Sequence, residues 1–319
     1  MTDVAPSPVS RGRGGPFGLP LPAAVAAVVV GLVLGIGGPL VALELLADDS
    51  PVLATFEPAT VTRGGGELQT PAPEPRELAS YEGYGAWVDV FDFSPPYAGE
   101  SPPVDAGDIA AMAATGVRTI YLQGARRDDR TPDGIEDPWL LAEFLATAHA
   151  ADIDVVGWYL PTFGDDDADL ERLRLLGEFE VLGHRFDGVA VDIEARPDDI
   201  DLATRNRRLV DLSTSFRAEF GETPVGAIVL PPVLIEVVNE DFWPEFPWRE
   251  LADLYDVWLP MSYWSGRTES SGYRDGYTYN EESVRRLRTN LGRPEALVHA
   301  IGGNGGTDGI DDPPDPPER

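Results

Sequence analysis

The chain has 319 residues, 43% of them hydrophobic, which is enough for one large core-bearing domain with appendages. The absence of cysteine excludes disulfides, thiolate metal sites and cysteine nucleophiles. With 55 acids against 24 bases, every base an arginine, the formal charge is -31, and so acidic a surface excludes a general nucleic-acid binder.

Residues 1–20 are rich in Pro, Gly and Arg and read as a disordered cytoplasmic tail, with Arg11 and Arg13 as its positive charges. From Leu21 to Leu43 no residue is charged, and the run is long enough to cross a bilayer as a helix. Arginines before it and Glu44, Asp48 and Asp49 after it orient the N-terminus to the cytoplasm and the rest outside, as a single-pass membrane anchor. A cleavable signal peptide ending near Ala47 is the competing reading, and it would release a secreted protein. Residues 44–80, with Gly64-Gly65-Gly66 and Pro71-Ala72-Pro73-Glu74-Pro75, suit an extended linker.

From Tyr81 the pattern changes to short β-rich runs that alternate with helical patterns. The runs predict strands over residues 86–93, 117–123, 155–160, 188–194, 225–230, 257–264 and 296–301. Helices are expected over 105–114, 138–151, 167–181, 198–220, 234–238 with 248–254, and 280–291. Even spacing and the lack of a Gly-rich phosphate loop after the first strand favour a (β/α)8-type TIM barrel over a doubly wound sheet. Seven strands are found where a closed barrel needs eight. The expectation is a barrel over residues 81–303 that is open or cut short at the eighth strand, followed by an acidic, Pro-rich tail at 304–319.

The strand at 188–194 carries the sharpest chemical signal. Side chains alternate along a strand, so Ala190, Asp192 and Glu194 share one face. Carboxylates at the C-terminal end of an apolar strand are costly unless satisfied or used, and in a parallel barrel that end is where active sites are built.

The segment Asp187-Gly188-Val189-Ala190-Val191-Asp192-Ile193-Glu194 resembles the fourth-strand motif DGxDxDxE of family-18 glycoside hydrolases, the chitinase family. Met261-Ser262-Tyr263-Trp264 resembles that family's sixth-strand Met-x-Tyr-Asp. The resemblance implies substrate-assisted hydrolysis of an N-acetylated polysaccharide. Glu194 would be the general acid, Asp192 would orient the N-acetyl group and raise the acid's pKa, and Tyr263 would hydrogen-bond the acetamido oxygen. Ala190 and Trp264 stand where the family has Asp. Family-25 lysozymes are similar in part, with an acid on strand one, matched here by Asp89 or Asp92, and Asp-x-Glu on strand four. That resemblance gives Asp89 or Asp92 a substrate-binding role and keeps Glu194 as the acid.

Aromatic side chains could stack on sugar faces, and Trp158, Trp264 and Tyr273 are candidates for that contact, against a core role for about half of such residues. Arg196 and Arg205 lie close enough in sequence to pair with the strand-four acids instead. His149, His184 and His299 are scattered, with no metal-ligand spacing, and Asp165, Asp166 and Asp167 read as a solvated helix start. No cofactor or metal is expected. Two functions remain: a membrane-anchored extracytoplasmic glycosidase acting on peptidoglycan or chitin, or a non-catalytic glycan-binding relative or structural ectodomain. Oligomeric state is not legible.

Overall fold

The structure, a computed structural model, describes residues 78–302. The chain divides into two units, Met1–Thr70 and Pro71–Arg319, and the described residues belong to the second. The expected cytoplasmic tail, the apolar run from Leu21, nearly all of the linker and the tail at 304–319 lie outside the described residues. Among the described residues no helix is long and apolar enough to cross a membrane.

The strands are β1 Tyr84–Val88, β2 Val117–Gln123, β3 Asp154–Tyr159, β4 Gly188–Ile193, β5 Val225–Val229, β6 Val257–Ser262, β7 Leu297–Val298 and β8 Ile301–Gly302. They form one parallel sheet in sequence order from β1 to β7. Both β7 and β8 pair with β6, at Val257–Trp258 and Met261–Ser262 respectively, so they are two pieces of one interrupted seventh position. Among the described residues nothing pairs β1 with that seventh position, and the sheet is open where an eighth strand would lie. It is curled all the same. His299, between β7 and β8, has its Nδ1 2.8 Å from the Tyr121 hydroxyl on β2 and 3.0 Å from the Tyr81 carbonyl.

Every residue of β4, β5 and β6 is buried, as strands covered on both faces should be. The helices that alternate with them are α1 Val90–Phe93, α2 Pro95–Ala98, α3 Ile109–Ala114, α4 Pro138–Ala150, α5 Asp166–Gly177, α6 Leu202–Glu219, α7 Trp248–Leu251 and α8 Gly276–Leu291. A π-helical turn, Leu234–Val238, follows β5. Aspartates start the long helices: Asp137, Asp165, Asp201 and Asp275 each accept backbone N–H groups of the first turn.

Tyr81 plugs the end of the sheet where the strands begin. Its buried hydroxyl donates to the Val189 carbonyl at 2.8 Å and lies 3.3 Å from the Pro224 carbonyl. Gly188 and Gly226 make room for that ring, since a Cβ at either would come within 2.9 Å of it. With that end filled, a site must be built at the other.

Three expected strand boundaries that bear on the site are corrected, and the fourth strand, expected over 188–194, ends at Ile193 and leaves Glu194 just past it. The first strand was expected over 86–93, but it ends at Val88, and Asp89 opens α1. The Asp89 carboxylate accepts the Phe91 N–H at 2.7 Å, and Asp92 returns the favour to the Asp89 N–H at 3.1 Å. Acids three residues apart form a capping box, and these local bonds override the apolar alternation that read as strand. The sixth strand ends at Ser262, and Trp264 begins a 3-10 turn.

Candidate active site

β4 delivers two carboxyls to the open end of the sheet. Asp192 is buried, 6% exposed, and its Oδ1 has no hydrogen-bond partner among the described residues. Burial first, and the Glu194 charge second, push its pKa well above the usual carboxylate range. Glu194, just beyond the strand, is solvent-exposed at the mouth of a pocket, yet crowded enough that burial raises its pKa too. Two close carboxyls of this kind resist double ionisation, so the pair holds a proton at a higher pH than either would alone.

The pocket encloses about 180 Å³. Glu194 lines it together with Met261, Tyr263, Arg267, Phe242 and Tyr279, over a floor from Leu230, Pro231 and the π-helical turn. Leu230 and Pro231 follow β5, while Met261 and Tyr263 come from the end of β6, so three neighbouring strands build one concavity. The walls are largely apolar and aromatic, with a carboxyl, a phenol and a guanidinium converging on them, which is the make-up of a small-molecule site.

The structure therefore brings Glu194 and Tyr263 together, with Asp192 buried in β4 two residues before Glu194, and disperses the other candidates. Trp158 is buried in the sheet interior, and its indole N–H donates to the Tyr121 carbonyl at 3.2 Å. It lies in register with Ala190 on β4, where a small side chain leaves the indole its space. Asp89 and Asp92 sit at the same end of the sheet but are engaged with each other's backbone in the capping box. Burial, then the charge of Asp92, raises the Asp89 pKa. Trp264 leans on the start of α8, where a Cβ at Gly276 would meet its ring at 2.9 Å. Tyr273 stands edge-on to Tyr279, ring centres 6.4 Å apart, and lines a separate open groove along α8.

Phe242, Arg267 and Tyr279 are among the pocket residues that sequence reasoning missed. Tyr279 belongs to the first turns of α8 and is buried. Arg267 has no pattern around it that marks an inward-facing cation. Neither Arg196 nor Arg205 forms an ion pair with Asp192 or Glu194; each instead covers an aromatic ring, Phe242 at 4.3 Å and Trp243 at 4.0 Å.

The histidines also differ from their scattered appearance in sequence. His149 and His184 approach to 3.1 Å between Nδ1 atoms, and His149 Nε2 lies 3.0 Å from Asp187 Oδ2. This cluster is at the end where β4 begins, opposite Glu194. Among the described residues no group of three or more His, Asp or Glu side chains is placed to hold a metal ion.

No family model and no curated protein matches the chain. Solved structures with a similar fold are chitinases and other glycoside hydrolases. A group II chitinase catalytic domain of Ostrinia furnacalis is 14% identical over 68% of this chain and 62% of that one, with a TM-score of 0.43. The family-18 chitinase of Cycas revoluta is 12% identical over 68% and 67%, at 0.47. The spore cortex-lytic enzyme SleL of Bacillus megaterium is 11% identical over 72% and 51%, at 0.46. The chain spans about three-fifths of the first of these. Likeness at such identities concerns architecture and reaches no residue of the site.

Proposed function

We propose that this protein is a glycoside hydrolase-like ectodomain, held at the outer face of a membrane by residues 21–43, that acts on an N-acetylated polysaccharide of the peptidoglycan or chitin type. The observation that carries the reading is the convergence of Glu194 and Tyr263 on one pocket, with the protonation-prone Asp192 buried in β4 two residues before Glu194 and close enough to feel its charge. Glu194, its pKa raised, is suited to arrive protonated and to give that proton to the glycosidic oxygen as the bond to the anomeric carbon breaks. The acetamido oxygen of the same sugar closes on that carbon, Tyr263 donating to it, and water later opens the ring and restores the proton to Glu194.

Ala190 and Trp264 favour a second reading, in which the pocket binds glycan without cleaving it. The interior position at 190 is taken by the needs of Trp158, and Trp264 is committed to α8, so neither supplies a charge to the pair.

The full chain and its Glu194→Gln variant, offered N-acetylated chitooligosaccharides and purified peptidoglycan, separate the two. The hydrolase reading expects turnover in the native chain and at least a hundredfold loss in the variant. Equal background turnover with retained binding leaves the binding reading standing, and absence of both turnover and binding removes the two together.

A further inference from the structure

A guanidinium withdrawn from water is destabilising unless an anion or hydrogen-bond acceptors compensate it. Arg205, in the first turn of α6, is only 6% exposed, and its buried Nε has no hydrogen-bond partner. Among the described residues its guanidinium has no ion pair, in a chain with more than two acids per base. What it has is the face of Trp243, 4.0 Å from its Cζ. A cation–π contact of this kind offsets part of the burial but supplies no hydrogen-bond acceptor to the N–H groups.

A second cation stands beside it. Arg196, two residues past Glu194, is exposed, has no carboxylate partner among the described residues, and lies over Phe242 at 4.3 Å. Phe242 and Trp243 are consecutive, so one dipeptide presents a ring to each arginine. The two cations are close enough for the charge of Arg196 to lower the Arg205 pKa, after burial. Phe242 also walls the pocket of Glu194, which makes the arginine pair continuous with that pocket. Trp243 is fixed from behind, its indole N–H donating to Asn206 Oδ1 at 2.8 Å, and Asn206 is bound in turn to the Glu245 carbonyl. Like charges held together on a rigid aromatic platform, without a counter-ion, describe a place prepared for an anion.

We propose that Arg196 and Arg205 form an anion subsite beside the Glu194 pocket, which selects glycans bearing an oxyanion substituent, a carboxylate or a phosphate, on a sugar next to the one in the pocket. Guanidinium forks match either group through paired N–H donors. The overall charge of -31 repels such a ligand at long range, so the pair would act as a local filter whose effect weakens with salt. This inference rests on the glycan reading for its substrate, but the anion site itself does not.

The full chain is titrated by calorimetry at low salt with neutral chitotetraose, with a tetrasaccharide alternating N-acetylhexosamine and hexuronate, and with a polyol-phosphate oligomer. The expected result is roughly tenfold tighter binding of at least one charged ligand than of chitotetraose, a gap that closes in Arg205→Gln and in the exposed-site variant Arg196→Gln. Which charged ligand gains tells carboxylate from phosphate. Equal binding of charged and neutral ligands, or a gap that survives both substitutions, overturns the subsite and leaves the glycan reading intact. If no oligosaccharide binds, sodium glucuronate and inorganic phosphate alone decide it. Thermal stabilisation of the native chain that Arg196→Gln abolishes keeps the anion site while the glycan reading falls, and no stabilisation overturns the site as well.

Discussion

Asp192, in the last pleat of β4, has a buried Oδ1 with no partner among the described residues, Glu194 follows just past the strand at an open pocket mouth, and the charge of Glu194 adds to the burial that raises the pKa of Asp192. A carboxyl whose pKa is raised by folding binds its proton better folded than unfolded, so ionising it costs stability. Nothing is lost below the ordinary value of 3.8; the cost grows as pH rises from there and levels off above the folded pKa. Asp192→Asn should therefore melt above the native chain at neutral pH, and the two should converge in acid. The expected gain is about 1–3 kcal/mol, the usual penalty of an uncompensated buried polar group, or several degrees in Tm. Thermal melts across pH check it, and a variant less stable at every pH would sink the idea that Asp192 is strained.

At the other end of β4, Asp187 supports rather than strains the fold. Its Oδ2 accepts the Val155 N–H at 2.7 Å and meets His149 Nε2 at 3.0 Å. That hydrogen bond raises the His149 pKa above 6.5, against some loss from burial. A raised histidine pKa stabilises the fold fully below 6.5, and the benefit disappears as pH climbs through the folded value. His149→Gln should cost about 1 kcal/mol near pH 6, discounting for partial exposure, and much less near pH 8. Denaturant unfolding at the two pH values reads the difference.

The site was legible where strand periodicity set it and illegible where distant loops completed it. The spacing of Asp192 and Glu194 predicts a common face through the pleat, and the structure holds Asp192 in β4 and sets Glu194 one residue past its end. Asp89 and Asp92 misled because an apolar alternation and a capping box overlap in the same residues, and the shorter-range bonds won. Trp158 lies near a strand end and could equally face ligand or core; only the neighbouring Ala190 decides, and that relation requires the register of β3 on β4. Arg267 reaches the pocket across a loop, and His149 meets His184 from 35 positions away, so no local pattern announces either.

The Tyr81 plug makes two glycines indispensable. A Cβ on Gly226 would sit 2.8 Å from Leu259 Cδ1 and 2.9 Å from Tyr81 Cε1, between two side chains that are themselves buried. Gly226→Ala should destabilise by about 1–3 kcal/mol through overpacking. Combining it with Tyr81→Phe should not relieve the clash, since the offending atom belongs to the ring edge and not the hydroxyl. Urea unfolding of both variants tests this, and a neutral Gly226→Ala would show that the plug is loose.

Restoring the acid that the chitinase motif has at position 190 should harm this protein. Ala190 is fully buried in register with Trp158, whose indole is held by the Tyr121 carbonyl and packs 6.1 Å from Trp87 between ring centres. Trp87 is itself stacked on Tyr121 at 4.3 Å, so the indole has no free direction in which to retreat. An aspartate there would place another carboxyl on the face of β4 that carries Asp192, against the Trp158 ring, whose N–H is already donated to Tyr121. Ala190→Asp should cost on the order of 3 kcal/mol or more, from an unpaired polar group combined with overpacking. Because Asp192 already resists ionisation, the added charge should raise its pKa further and enlarge the loss with rising pH. The variant should gain no hydrolysis of chitooligosaccharides. A stable Ala190→Asp chain with increased turnover would contradict this account of Trp158, and would mean that the interior can still accept the charge network of an active chitinase.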